Sequence, residues 1–136
     1  MSGRCLAAAL SAILALTVGC GGGEDDDRGR PARPSSSASL EILQPAAGAQ
    51  VQGPSIDVRV ELAGGEIVPQ ASRDLQPDKG HVHLRLNGEL VSHTFGTTQT
   101  LTEVAAGDYI LEAEFVAADH GPFNPRVITS TSFTVT

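Results

Sequence analysis

At 136 residues and 14.0 kDa the chain has room for one ordinary domain, which excludes a multidomain enzyme. Nine Lys+Arg against sixteen Asp+Glu give a formal charge of -7, the wrong sign for a protein that neutralises a phosphate backbone, so a nucleic-acid partner is excluded. Fifteen Gly, eight Pro, no Trp and 18% charged residues suit a loop-rich all-β protein better than a helical one.

Met1-Ser2-Gly3-Arg4 carries one positive charge, and Leu6 to Val18 is then apolar apart from Ser11 and Thr17. As a helix, that run reaches only about 20 Å, short of the roughly 30 Å hydrocarbon core of a bilayer. The segment reads as a secretory signal rather than a membrane span. Its end, Leu16-Thr17-Val18-Gly19-Cys20, resembles the bacterial lipoprotein box, with Thr17 where Leu is usual. The resemblance implies a signal peptide over residues 1–19, removal after Gly19, and acylation (palmitate among the chains) of Cys20 as the mature N-terminus. More than one acyl chain makes such an anchor stable, so the implied partner is a membrane and the implied location the bacterial cell envelope. Cys5 then leaves with the signal and Cys20 is consumed by lipid, so no thiol remains for a disulfide, a metal or a nucleophile.

Residues 20–38 read as the lipidated Cys and a disordered tether: glycines, an acidic run, Arg and Pro, then serines, with nothing to bury. Glu24 to Asp27 lack the spaced oxygen ligands and turn glycine of a calcium loop, so they read as a solvated charge run.

From Ser39 the apolar pattern has period two. Leu40 and Ile42 lead to the corner Pro45-Ala46-Ala47-Gly48. Ile56, Val58, Val60 and Leu62 then alternate with Asp57, Arg59 and Glu61. Ala63 to Lys79 is a long connection, read equally as an edge-covering loop or a ligand lid. Val82, Leu84 and Leu86 alternate with His81, His83 and Arg85 before Asn87-Gly88, a hairpin signal. A three-residue loop, Leu86-Asn87-Gly88, would pair Arg85 with Glu89, Leu84 with Leu90 and His81 with His93. This register is preferred, because a two-residue turn sets Glu89 beside Leu86 on the buried face. Leu90 and Val91 mark the return strand, Thr100 to Val104 a fifth, Tyr109 to Phe115 a sixth and Val127 to Val135 a seventh.

About seven short strands over residues 39–136 describe an all-β, antiparallel β-sandwich, whose order resembles immunoglobulin-like and fibronectin type III domains. Gly107-Asp108-Tyr109 resembles the tyrosine corner of such sandwiches. With no Trp and no remaining Cys pair, an antibody-type domain is excluded.

The four histidines carry the chemistry. His81 and His83 sit at i and i+2, so both face away from the Val82/Leu84 side and outward. The sandwich topology brings Asp119 and His120 towards His81, and Glu112 and Glu114 beside the paired histidines. His81, His83, His120 and His93, with Glu114 and Asp119 as supporting carboxylates, are therefore candidates for a Zn or Cu site, since both metals take neutral imidazole nitrogen. The competing reading makes them loop braces hydrogen-bonded to backbone.

Gly80-His81-Val82-His83 and Asp119-His120-Gly121-Pro122 resemble two signature stretches of small, uncharacterised bacterial secreted Ig-like domains. That resemblance implies fold and export, and His93 is not part of it. A cupin-like metalloenzyme remains a remote alternative: Glu89 follows the His-x-His too late, and the Pro-x-Gly of the second cupin motif is missing. Without a Cys, or a Met beyond Met1, a blue-copper site is excluded. The expectation is a lipid-anchored envelope module that binds or builds and does not catalyse, its partner an envelope protein or glycan. A metal-binding protein using the His cluster is the alternative.

Overall fold

The computed structural model describes residues 32–94 and 96–136; the expected signal peptide, Cys20 and the expected tether up to Pro31 lie outside the described residues. Within them there are nine strands and no helix long and apolar enough to cross a membrane. They are β1 (Ser39–Gln44), β2 (Ala49–Val51), β3 (Ile56–Ala63), β4 (Glu66–Ile67), β5 (Lys79–Leu86), β6 (Glu89–Thr94), β7 (Thr98–Leu101), β8 (Gly107–Ala117) and β9 (Pro122–Val135).

The strands form the expected sandwich. One sheet runs β1-β3-β7; the other runs β2-β9-β8-β5-β4, with β6 also paired to β5. Period-two burial is the reason: Ile56, Val58 and Val60 are buried between exposed Asp57, Arg59 and Glu61. They face Val82, Leu84, Leu111, Ala113, Phe115, Phe133 and Val135 across the gap between sheets. Each large apolar side chain removed from water contributes about 1.5–3 kcal/mol, so this interior drives the fold. Phe123 closes one end of it, stacked on Phe115 at 5.1 Å. At the other end Tyr109 donates its hydroxyl to the Ala105 carbonyl (3.0 Å), the expected tyrosine corner.

Three sequence expectations change. The strands number nine rather than about seven and are not all antiparallel: β2 pairs parallel with β9, and β4 parallel with β5. Segments of two or three residues hold too few positions to display an alternation, so neither was legible. The fifth expected strand forms earlier, at Thr98–Leu101, and ends before Val104. Residues 33–38, assigned to the tether, lie against the domain: Arg33 reaches Asp119, and Ser36 and Ser37 bind the Asp78 carboxylate.

The β5–β6 register also differs from the preferred one. Leu86 pairs with Glu89 around a two-residue Asn87-Gly88 turn, with φ of 49° and 85° at the two turn residues. Positive φ at both positions is the twist-matching hairpin turn, and Asn and Gly are the residues that adopt it most cheaply. The anticipated penalty at Glu89 does not arise, because Glu89 is exposed at the free edge. A bulge at Val91 then offsets the pairing, so Leu84 meets Ser92 and His83 meets His93.

Candidate metal centre

The outer face of the six-stranded sheet carries the site. Strand alternation points His81, His83 and Arg85 of β5 there, opposite Val116, Glu114 and Glu112 of β8. On the other side of β5, the bulge sets His93 directly across from His83, on the same face. His120 comes from the β8–β9 connection, where its N–H donates to the Ala117 carbonyl (2.8 Å) and its φ is 65°.

His83, His93 and His120 each offer a ring nitrogen, and these nitrogens all lie within 4.8 Å of one another. His83 Nε2 and His120 Nδ1 are 3.0 Å apart, one donating to the other. The His83 ring meets His93 edge-on at a centroid distance of 5.0 Å and lies nearly parallel to His120 at 5.3 Å. Tetrahedral coordination at about 2.0–2.1 Å per nitrogen separates ligand atoms by roughly 3.3 Å, so His83 and His120 already stand near ligand spacing. A metal ion would replace the proton they share. His93 is exposed on the edge strand, with a ring nitrogen within 4.8 Å of those of His83 and His120.

His83 is 5% exposed, and its pKa is pushed down to about 4. Burial is the main cause, followed by the charges of His93, His120 and Arg85, with Glu114 opposing. The ring is therefore neutral at neutral pH, as a metal ligand must be.

His81, expected to face solvent and to share the site, is fully buried and lies outside the three-nitrogen cluster. Its outward side is covered by the Ala63–Lys79 connection, which adds the edge strand β4 and hydrogen-bonds through Val68 N–H to the Gly80 carbonyl (3.0 Å). His81 Nε2–H donates to the Ala118 carbonyl (3.3 Å), and its ring stacks on His120 at 4.7 Å. Burial lowers its pKa, with the Ala118 and Val68 backbone acting in the opposite direction. His81 is thus a brace, as the competing reading of the histidines had it, while His83, His93 and His120 form a cluster that could hold a metal ion.

The two supporting carboxylates are committed to arginines. Glu114, 2% exposed, receives Arg126 Nε (2.7 Å) and Nη2 (2.8 Å) and Arg85 Nη1 (3.0 Å). Burial alone would raise its pKa, but the hydrogen bonds from Arg126 and Arg85 outweigh that and hold it below the usual carboxylate value. Asp119 is gripped by Arg33, Nη1 to Oδ2 at 2.6 Å and Nη2 to Oδ1 at 2.9 Å. With a further bond from Gly121 N–H, its pKa falls to about 2. Neither carboxylate points at the nitrogens as a ligand; both stiffen the elements that carry them.

Gly80 permits the closest approach in the region, since a Cβ there would lie 1.7 Å from the Val116 carbonyl oxygen. The Gly-His-x-His stretch thus combines a strand contact only glycine allows, a brace and a candidate ligand. Arg33 is the site residue that sequence reasoning missed: a lone Arg among prolines and serines carries no signal of a bidentate partner 86 positions away.

No family model and no curated protein matches this chain. Among solved structures it is similar to fibronectin(III)-like modules of Clostridium thermocellum CbhA, at 22% identity, covering 71% of this chain and 45% of that one, with a TM-score of 0.50. Weaker likenesses are the PKD domain of human KIAA0319 (11% identity, 78% and 86% covered, TM-score 0.42) and CopC from Methylosinus trichosporium OB3b (20%, 72% and 92%, 0.38). At these identities the likeness describes the β-sandwich fold alone.

Proposed function

We propose that this chain is a lipid-anchored cell-envelope β-sandwich that binds a divalent transition-metal ion, Zn(II) or Cu(II), through His83, His93 and His120. The observation that carries this reading is the convergence of three imidazole nitrogens within 4.8 Å. Two further features support it. His83 is held neutral. His120 occupies a left-handed backbone conformation that costs a non-glycine residue about 1 kcal/mol or more, and such strain concentrates where a side chain has a task. Three imidazoles with no thiolate or thioether favour these borderline ions over Cu(I).

Binding rather than catalysis is proposed because the flanking carboxylates, Glu114 and Asp119, are each tied to arginine and so are poorly placed as general bases. The anchor at Cys20 rests on the lipoprotein-box resemblance and places the site at a membrane surface.

The test uses the full chain carrying Cys5→Ser and Cys20→Ser, in a mild non-ionic detergent, titrated with Zn(II) and Cu(II) at pH 7.5. One ion per chain, with Kd tighter than about micromolar, is expected. Binding should weaken at least about a hundredfold in His83→Ala and His120→Ala, and less in His93→Ala. Absence of binding by the unaltered histidine set overturns the metal reading and favours a module that contacts envelope protein or glycan.

A further inference from the structure

The segment preceding the sandwich crosses the loop that carries His120 and is fastened there on both sides. Arg33 grips Asp119 with both terminal nitrogens (2.6 and 2.9 Å), and its Nε–H donates to the Pro122 carbonyl (2.8 Å). The Pro34 carbonyl accepts from Asn124 N–H (2.9 Å). A few residues on, Ser36 Oγ and Ser37 N–H both bind Asp78 Oδ1, at 2.7 and 2.6 Å, next to the start of β5. The guanidinium lies over Gly121, where a Cβ would stand 2.5 Å from Nη2. Four successive residues, Asp119 to Pro122, thus consist of two that bind Arg33, one that makes room for it, and His120.

We propose that residues 33–37 form a latch on the metal site, with Arg33 acting through Asp119 as a positioning residue for His120, so that docking of this segment and metal occupancy strengthen each other. The inference rests on the metal-binding reading and adds regulation to it. His120 stands at φ 65° between Asp119 and Gly121, so whatever holds this loop also sets where its ring stands beside His83. Stacking on His81 holds one side, and the Arg33 fork holds the other. Bidentate arginine–carboxylate pairing fixes orientation as well as position, as an outer-shell group must to orient a ligand. By linkage, a site that binds more tightly with the segment docked also docks the segment more tightly when metal is bound.

Zn(II) affinity is measured by chelator competition in the same full chain with Cys5→Ser and Cys20→Ser. Arg33→Ala and Asp119→Asn should each weaken binding about tenfold with little change in thermal midpoint, because both residues are half-exposed. Gly121→Ala, which pushes the guanidinium aside, should do the same, and Arg33→Lys should recover part of the loss. Zn(II) should also slow hydrogen exchange at the Ser37 and Asn124 amides in the unaltered protein, an effect absent in Arg33→Ala. If the chain binds zinc and Arg33→Ala and Asp119→Asn bind it equally well, the latch is refuted and the site stands. If the chain binds no zinc, both fall.

Discussion

Gly80→Ala is the most severe single-methyl change the structure allows near the site. The added Cβ would sit 1.7 Å from the Val116 oxygen and 2.8 Å from its carbonyl carbon, where ordinary contact is 3.4–4 Å. The atoms it meets are backbone of the adjoining strand, paired with β5 through Gly80↔Ala117 and His81↔Val116, so no side chain can swing aside. Relief requires β5 and β8 to part locally by about 1.5 Å, which takes hydrogen bonds near 2.9 Å beyond the 3.5 Å at which they cease to count. Each buried backbone group left without a partner costs about 1–3 kcal/mol, so two or three such groups give a loss of about 3–5 kcal/mol. That is a large share of a small domain's 5–15 kcal/mol. Urea denaturation followed by far-UV circular dichroism measures it, with Gly88→Ala as control: nothing lies within 4 Å there, and only its φ of 85° opposes a side chain, for about 1 kcal/mol. A Gly80→Ala protein within 1 kcal/mol of the unaltered chain would refute the argument from close approach.

Three other outcomes are expected. His120→Asn, which tolerates the left-handed conformation, should keep stability within about 1.5 kcal/mol while zinc binding weakens at least about a hundredfold; a parallel collapse of stability would make His120 a brace and not a ligand. In the metal-free chain, His83 titrates near 4 when folded against 6.5 when unfolded, so the unfolded chain takes up protons first and stability falls as pH drops through that window. About 2 kcal/mol should be lost between pH 7 and 5 in urea unfolding with a chelator present, and His83→Gln should flatten that slope. Cys20→Ser should remove the acyl mass from the chain as read by intact-mass spectrometry of protein from a bacterial host, whereas an unaltered chain that carries no acyl mass on Cys20 would sink the lipid anchor.

Most of the fold was legible because the apolar residues follow the side-chain period: β3, β5 and β8 read directly as alternations in the sequence, and Tyr109 found its corner. What alternation gives is a face, not its exposure. His81 and His83 lie on the face opposite Val82 and Leu84, as their positions require, yet both are buried. The cover comes from elements distant in sequence, the Val68 stretch and the His120 loop, and no local pattern announces a cover. The same holds for Arg33, whose segment has the composition of a tether and becomes ordered through carboxylates at Asp78 and Asp119.

Membership of the histidine cluster turned on one hairpin. Two considerations opposed each other at Asn87-Gly88: side-chain matching favoured a three-residue loop, and turn geometry favoured two. Cross-strand pairs contribute about 0.2–1 kcal/mol each, and Arg85 with Glu89 at an exposed edge sits at the low end of that range. A turn in which both residues adopt positive φ without a β-branched side chain avoids strain of similar or larger size and matches the twist of the strands. Turn geometry therefore prevails, and the Val91 bulge absorbs the mismatch where neither neighbour is deeply buried. The consequence is chemical. In the three-residue register His93 would face His81, which is already engaged with the Ala118 carbonyl, and the nitrogens of His83 and His120 would lack a third. In the register that forms, His93 faces His83, and three nitrogens converge. An insertion of one residue between Asn87 and Gly88 would move His93 off this position with both strands otherwise intact, and so separates the proposed metal site from the fold that holds it.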